Sequence, residues 1–375
     1  MNEETTLDPE SLPLVVGIDL GGTQIRVAVL RGSNLLSRIS EETGVNPTPD
    51  RIIPRMHRAL QKALDKSCST LEQIRGIGIG VAGPLDSQSG VVFAAPNLSG
   101  WEHIPLQGIF QEYYNLPVFI ENDANAAALG EYVFGAGRGC KNMIYLTIST
   151  GIGSGIIING QIMEGTSGTA GELGHMTVDW RGECCNCGNR GCLESIASGT
   201  AIARRANGAI AGGRGAELLA FARALQQNTN GPSWQKESAT LSGDLTFGKA
   251  TSDAEALCID ARIVAQAAQA GIPLAVRLIK DAAEALGVGL VNIIHIFNPE
   301  MIILGGGLTQ IGDLLLEPAL RIVRARAMRV PYKDAHIALA HMDTEAGLVG
   351  AGALVYHRLE MHGVLQCAEV MVGAS

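Results

Sequence analysis

The sequence predicts an α/β fold with two lobes around a cleft, and three observations carry that prediction. Short β-branched runs punctuated by glycine fill the first half of the 375 residues. Helical periodicity dominates after residue 193, and one strand–glycine turn–strand unit occurs twice. The two copies are VVGIDLGGTQIRVAVL (15–30) and MIYLTISTGIGSGIIING (143–160). Each reads as a β-hairpin whose tip is almost bare of side chains. Two such hairpins suggest a duplicated domain, one hairpin per lobe, although glycine-rich hairpins also recur by coincidence.

In chain order, Leu14–Leu20 and Ile25–Arg31 are the arms of the first hairpin. A helical pattern at 50–66 follows, then strands at Arg75–Val81 and Val91–Ala95, a helix at 105–113 and a strand at Val118–Glu121. A helix over 122–135 begins directly after that strand, and Met143–Ser149 with Gly155–Ile158 makes the second hairpin. Beyond residue 193 the pattern is helical apart from strands near 301–304 and 336–339. Residues 1–13 read as a polar tail. The smaller lobe spans 14–121, with a C-terminal helix at 346–365 packing back on it, and the larger lobe spans 122–345. Residues 227–250, polar with Gly, Pro and Ser, read as a surface insert between helices.

Composition narrows the function classes. At 46% hydrophobic and 17% charged, the chain can bury a large core. Its mean hydropathy of +0.18 is high, yet no run reaches the ~18 apolar residues of a membrane helix. The most apolar region, Ala285–Phe297, is interrupted by Asn292 and His295. The acidic start MNEETTLDPESLP does not resemble a signal peptide, so a cytoplasmic protein is expected. A net charge of −9 argues against a nucleic-acid footprint. It also means that a bound polyanion must be held by backbone amides and a divalent cation.

Several motifs carry chemistry. In Asp19-Leu20-Gly21-Gly22-Thr23 the glycines let phosphates approach backbone N–H groups, and Thr23 adds a hydroxyl. Asp19 at the strand end suits Mg²⁺ held through water. An Asp-x-Gly-Gly turn is also an ordinary hairpin, but Thr150-Gly151-Ile152-Gly153 supplies a second cradle. Gly305-Gly306-Gly307, after an apolar strand, is placed as nucleotide-binding turns are, or as a plain strand-to-helix turn. Glu121-Asn122-Asp123-Ala124-Asn125 opens a helix. Asp123 there suits a general base accepting a proton from an attacking hydroxyl, with Asn122 hydrogen-bonding the same substrate; helix capping is the alternative.

The eight cysteines are unevenly spread, with Cys184, Cys185, Cys187 and Cys192 clustered. His175 with Cys185, Cys187 and Cys192 offers one imidazole and three thiolates, a tetrahedral Zn²⁺ set. A frame using Cys184 with Cys187 is also conceivable. Four protein ligands leave no open position, so the zinc, held by the loop over 175–194, is expected to be structural and to clamp the residues that present Glu172 and Glu194.

These residues together resemble the ROK family of repressors and sugar kinases, within the actin-like (ribonuclease H-like) ATPase superfamily. The resemblance runs from about Val15 to His357 and is most specific at Glu172-x-Gly174-His175 and Cys185-x-Cys187-Gly188-x-x-Gly191-Cys192-x-Glu194. It implies an ATP- and Mg²⁺-dependent hexose 6-kinase, glucose being the first expectation, that closes on its sugar as a homodimer. N-acetylmannosamine, allose or fructose are alternative acceptors, and polyphosphate an alternative donor. By that resemblance Asp19, Gly21, Gly22 and Thr23 form the first phosphate loop, and Thr150, Gly151 and Gly153 the second. Gly305, Gly306 and Gly307 lie near the adenosine, and Asp123 is the base. Gly83, Asn97, Asn122, Asp123, Glu172, His175 and Glu194 contact the sugar, His175 serving both zinc and sugar. The family's repressors carry a DNA-binding domain ahead of the first hairpin, for which 14 residues leave no room, so a non-catalytic regulator is the distant alternative.

Overall fold

The computed structural model describes residues 12–95, 98–228, 259–342 and 345–361. Asn97, the insert beyond Asn228, Cys258 and Cys367 lie outside the described residues.

Two five-stranded sheets with one shared plan organise the chain. In the first, β1 (Leu14–Leu20), β2 (Gln24–Arg31) and β3 (Asn34–Glu42) form an antiparallel meander. Helix α1 (Pro49–Ser67) leads to β4 (Ile74–Val81), parallel to β1. Three short strands, β5 (Leu85–Asp86), β6 (Val91–Ala94) and β7 (Glu102–Ile104), make a separate small sheet. Helix α2 (Leu106–Tyr114) then returns the chain to β8 (Val118–Asn122), parallel to β4, and α3 (Asp123–Phe134) starts where β8 ends. The order is β3-β2-β1-β4-β8.

The second sheet repeats this. A meander of β9 (Met143–Ile148), β10 (Ile152–Ile158) and β11 (Gln161–Ile162) is followed by a helical excursion. The excursion comprises α4 (Leu193–Ala197), α5 (Gly199–Ala211), α6 (Ala216–Asn228), α7 (Ala261–Gln269) and α8 (Pro273–Phe297). Strand β12 (Met301–Gly305) then lies parallel to β9. Helices α9 (Asp313–Arg326) and α10 (Arg329–Asp334) precede β13 (His336–Leu339), and α11 (Ala346–Met361) ends the described chain. The order β11-β10-β9-β12-β13 matches the first sheet strand for strand, so the two glycine hairpins occupy equivalent places.

Burial explains which strands declared themselves. β1 is buried at every residue, because neighbouring strands and helices cover both faces, and it reads as a continuous apolar run. Ile18, Leu20, Ile77 and Ile79 are fully buried, and each such side chain contributes about 1.5–3 kcal/mol. Ala285–Phe297 forms the second half of α8 and packs into the core beneath the second sheet. Among the described residues no helix is long and apolar enough to cross a membrane.

Helix α11 packs on α3 and on β1, β4 and β8. The approach is close enough to exclude side chains: a Cβ at Gly78 would stand 1.8 Å from the Ala351 carbonyl oxygen. Through this contact the far end of the chain backs the sheet edge that carries the site.

Candidate functional site

Strands β1, β4 and β8 are parallel and in register, with Asp19 beside Gly80 and Gly80 beside Glu121. Their carboxyl ends therefore gather Asp19, Gly83 and the Asn122–Asp123 junction at one edge, where α/β folds assemble ligand sites. Asp19 is 6% exposed, and burial pushes its pKa up. Arg26, its cross-strand partner in the hairpin, opposes that by hydrogen-bonding Asp19 Oδ2. A carboxylate this buried requires such a partner. Sequence reasoning assigned Asp19 but missed Arg26, whose only signal was a lone cation inside an apolar strand.

Beyond Asp19 the hairpin tip is braced from outside. Thr43 donates its amide to the Thr23 carbonyl at 2.7 Å and its hydroxyl to the Gly21 carbonyl at 3.1 Å. Gly21 and Gly22 are half-buried and Thr23 is exposed, so the tip remains open to a ligand.

Asn122 caps α3, its Oδ1 accepting from the amides of Ala124 (2.9 Å) and Asn125 (3.4 Å), while its Nδ2 donates to the Gly83 carbonyl at 3.3 Å. Asp123 Oδ1 accepts from the Ala124 amide at 2.9 Å, and its side chain lines a cleft shared with Gly83, Gly153, Gly171 and Glu172. Burial, then the neighbouring charge of Asp19, push the Asp123 carboxyl up to about 6. That puts it near neutrality, where a general base works best.

The second hairpin reaches this cleft because α3 lies directly against it. A Cβ at Gly153 would stand 3.2 Å from the Ala124 Cβ, so the glycine admits the first turn of α3. At the tip, Glu194 Oε2 accepts from the Ile152 amide at 2.8 Å, and a Cβ at Gly151 would meet that oxygen at 2.5 Å. Glu194, expected to contact the sugar, here braces the hairpin. The start of α5 grips the same tip, with the Thr200 amide donating to the Thr150 carbonyl at 3.1 Å. Gly305 pairs with Thr147, and Gly306 turns at φ +89° where a Cβ would be 2.4 Å from the Ile148 carbonyl oxygen. Only glycine fits both demands. Gly307 begins a short 3₁₀ turn, so the triplet is a strand-to-helix turn beside the second hairpin.

Glu172 and His175 stand on a loop that Ser154 pins to β10: its Oγ donates to the Gly171 carbonyl and accepts from the Leu173 amide at 3.2 Å. Nothing in the sequence marked Ser154. His175 Nε2 lies 3.9 Å from Glu172 Oε2, whereas its Nδ1 lies 3.6 Å from Cys185 Sγ. The ring thus faces the cleft loop with one nitrogen and the thiols with the other.

The side chains of His175, Cys185, Cys187 and Cys192 converge, their ligand atoms all within 4.8 Å of one another. Cys187 and Cys192 sulfurs are 3.7 Å apart. A tetrahedron with Zn–S of about 2.3 Å and Zn–N of about 2.0 Å has S···S edges near 3.8 Å and S···N edges near 3.5 Å. The donor set and its spacing therefore fit a divalent zinc. Cys184 stands apart, accepting a hydrogen bond from Arg190 at 3.1 Å, and is not among the converging ligand atoms.

The sequence pattern of the ROK family matches residues 15–358. A glucokinase of Halalkalibacterium halodurans is 34% identical over 342 residues, 91% of this chain and 94% of that protein. A xylose repressor of Caldicellulosiruptor bescii is 32% identical, covering 91% of this chain and 77% of its own length. The structure of a ROK family glucokinase from Streptomyces griseus, in complex with glucose and AMPPNP, is 33% identical and superposes with a TM-score of 0.70 over 91% of this chain and 98% of that one. The two-sheet architecture is the actin-like ATPase fold of those kinases.

Proposed function

This chain belongs to the ROK family, and on that premise we propose that it transfers the γ-phosphoryl group of ATP to the 6-hydroxyl of a hexose, glucose first. The observation that carries the reading is Asp123. It lines the cleft with the second hairpin's Gly153, feels the charge of the first hairpin's Asp19, and is lifted to about 6. In the step, the 6-hydroxyl oxygen attacks the γ-phosphorus, its proton passes to the Asp123 carboxylate, and the bond to the β–γ bridging oxygen breaks to release ADP. Phosphoryl transfer otherwise requires mainly positioning and charge neutralisation.

Asp19, Gly21, Gly22 and Thr23 with Thr150, Gly151 and Gly153 hold the phosphates under this reading, and Gly305–Gly307 flank the adenosine. Asp19, steadied by Arg26, would hold Mg²⁺ through water, and that ion supplies charge neutralisation on the phosphates. Gly83, Asn97, Asn122, Glu172, His175 and Glu194 take the sugar hydroxyls. Zinc on His175, Cys185, Cys187 and Cys192 would be structural, fixing the His175 tautomer so that Nε2 is presented to the sugar. We take the boundary between lobes at residues 121–122, and the working unit as a cytoplasmic homodimer, which sedimentation velocity tests.

The direct test is ADP release across a panel of hexoses and amino sugars, with ATP and polyphosphate as donors. Glucose-dependent turnover with ATP supports the reading. Sugar binding without turnover favours a regulator, the role named for the xylose repressor relative.

A further inference from the structure

We infer that Arg358 is a positioning residue for the sugar site, holding the loop that carries Glu172 in register with the strand end that carries Asp123. The inference rests on the kinase reading above and concerns residues to which that reading gives no role.

Three sequence-distant elements meet at this guanidinium. Arg358, near the end of α11, donates from Nη2 to Glu164 Oε1 at 2.5 Å, across 194 positions of sequence. The same Nη2 lies 3.7 Å from Glu121 Oε2. Glu164 opens the segment after β11 that runs to Gly171, Glu172 and His175. Its carboxylate is also tied to the β5–β6 turn, accepting from Ser87 Oγ at 2.8 Å and Gln88 Nε2 at 3.4 Å. Burial works against ionising Glu164, but the bonds from Arg358 and Ser87 hold its pKa below the usual range.

Glu121 is the other anchor. It is 1% exposed and sits two residues before Asp123. Its Oε1 accepts from the Asn122 amide and from Asn125 Nδ2, both at 3.0 Å. Its Oε2 is buried without a hydrogen bond, and among the described residues Arg358 is the cation paired with it. A buried carboxylate without a cation is strongly unfavourable, and one guanidinium with several donors can serve two carboxylates in a fixed geometry. Arg358 is three-quarters buried and thus well placed to do so. The bridge links the strand end two residues before Asp123 to the segment that leads to Glu172.

Positioning has a kinetic signature that simple stabilisation lacks. Glu164→Gln keeps the shape of the side chain and one acceptor oxygen for Ser87, but removes the charge that Arg358 meets. Arg358→Met removes the cation, and Arg358→Lys restores charge without the fork. Steady-state kinetics with glucose and ATP varied separately, alongside thermal melting, distinguish the outcomes. We expect Glu164→Gln and Arg358→Met each to raise the glucose KM about tenfold while the ATP KM moves less than about twofold. Arg358→Lys should recover part of the loss, and the double variant should be no worse than the poorer single one. Equal shifts in both KM values, or additive losses in the double variant, overturn the inference. So does an unchanged glucose KM in Glu164→Gln, the variant retained should Arg358→Met fail to fold. A wild type that phosphorylates no hexose defeats the kinase reading instead, before any variant is compared.

Discussion

Replacing Asp123 by asparagine should disable the enzyme and make its fold more stable. Burial first, then Asp19, and then Glu172 raise the Asp123 carboxyl from its usual 3.8 to about 6. That displacement is about 2 pH units, and each is worth about 1.4 kcal/mol, so folding the ionised form costs up to about 3 kcal/mol. The side chain is half-buried and open to the cleft, where water screens it, so about 1–2 kcal/mol is the working figure. The sign follows from the direction of the shift. A raised carboxyl penalises the fold fully above about pH 6, and the penalty fades as pH falls toward 3.8, where both states take up the proton. Urea unfolding followed by circular dichroism should therefore show Asp123→Asn more stable than wild type at pH 7.5, with the advantage reduced to about a third near pH 4.5. In parallel kcat should fall by about 10²–10⁴ with sugar still bound, the scale of a lost general base. Unimpaired turnover removes Asp123 from its role. A stability difference that is absent, or that does not shrink with acid, refutes the buried-carboxylate argument.

The wild-type pH profile should agree: kcat/KM is expected to fall about tenfold per unit below an acid limb centred near 6, because the base must be ionised. A limb near 4 contradicts that. Elemental analysis should find one zinc per chain, and Cys187→Ser should lose the metal, fold stability and sugar affinity together, since metal binding and loop order are linked. Gly78→Ala forces a Cβ to 1.8 Å from the Ala351 carbonyl and should cost about 3 kcal/mol or more on thermal melting. Gly108→Ala, in α2 with nothing within 4 Å, should instead gain about 0.5–1 kcal/mol.

Which parts were legible depended on how local the governing interaction is. β1, β4 and β9 are buried and apolar, so their residues announce strands. β3 was not anticipated, because its sequence NLLSRISEE is that of an edge strand with exposed polar positions. β5 and β11, two residues each, exist through pairing alone. The thiol cluster was readable because Cys185, Cys187 and Cys192 lie within eight residues of chain, which makes their convergence easy. Cys184, equally local, instead accepts a hydrogen bond from Arg190, a contact that sequence spacing does not reveal.

By itself the sequence determined the α/β class, the duplicated glycine hairpins, the cysteine–histidine cluster and the acid at the head of α3, since each shows as a pattern of residues read along the chain without knowledge of packing. Tertiary structure decided what those pieces face. The in-register carboxyl ends of β1, β4 and β8 bring Asp19 toward Asp123, and the packing of α3 on β10 brings in Gly153. Ser154 and the Glu164–Arg358–Glu121 bridge have no consecutive-residue signal, and Arg26 only the faint one of a cation in an apolar strand, because their partners arrive from other strands and helices. The energy of a buried charge depends on neighbours in space, and only the folded chain names those.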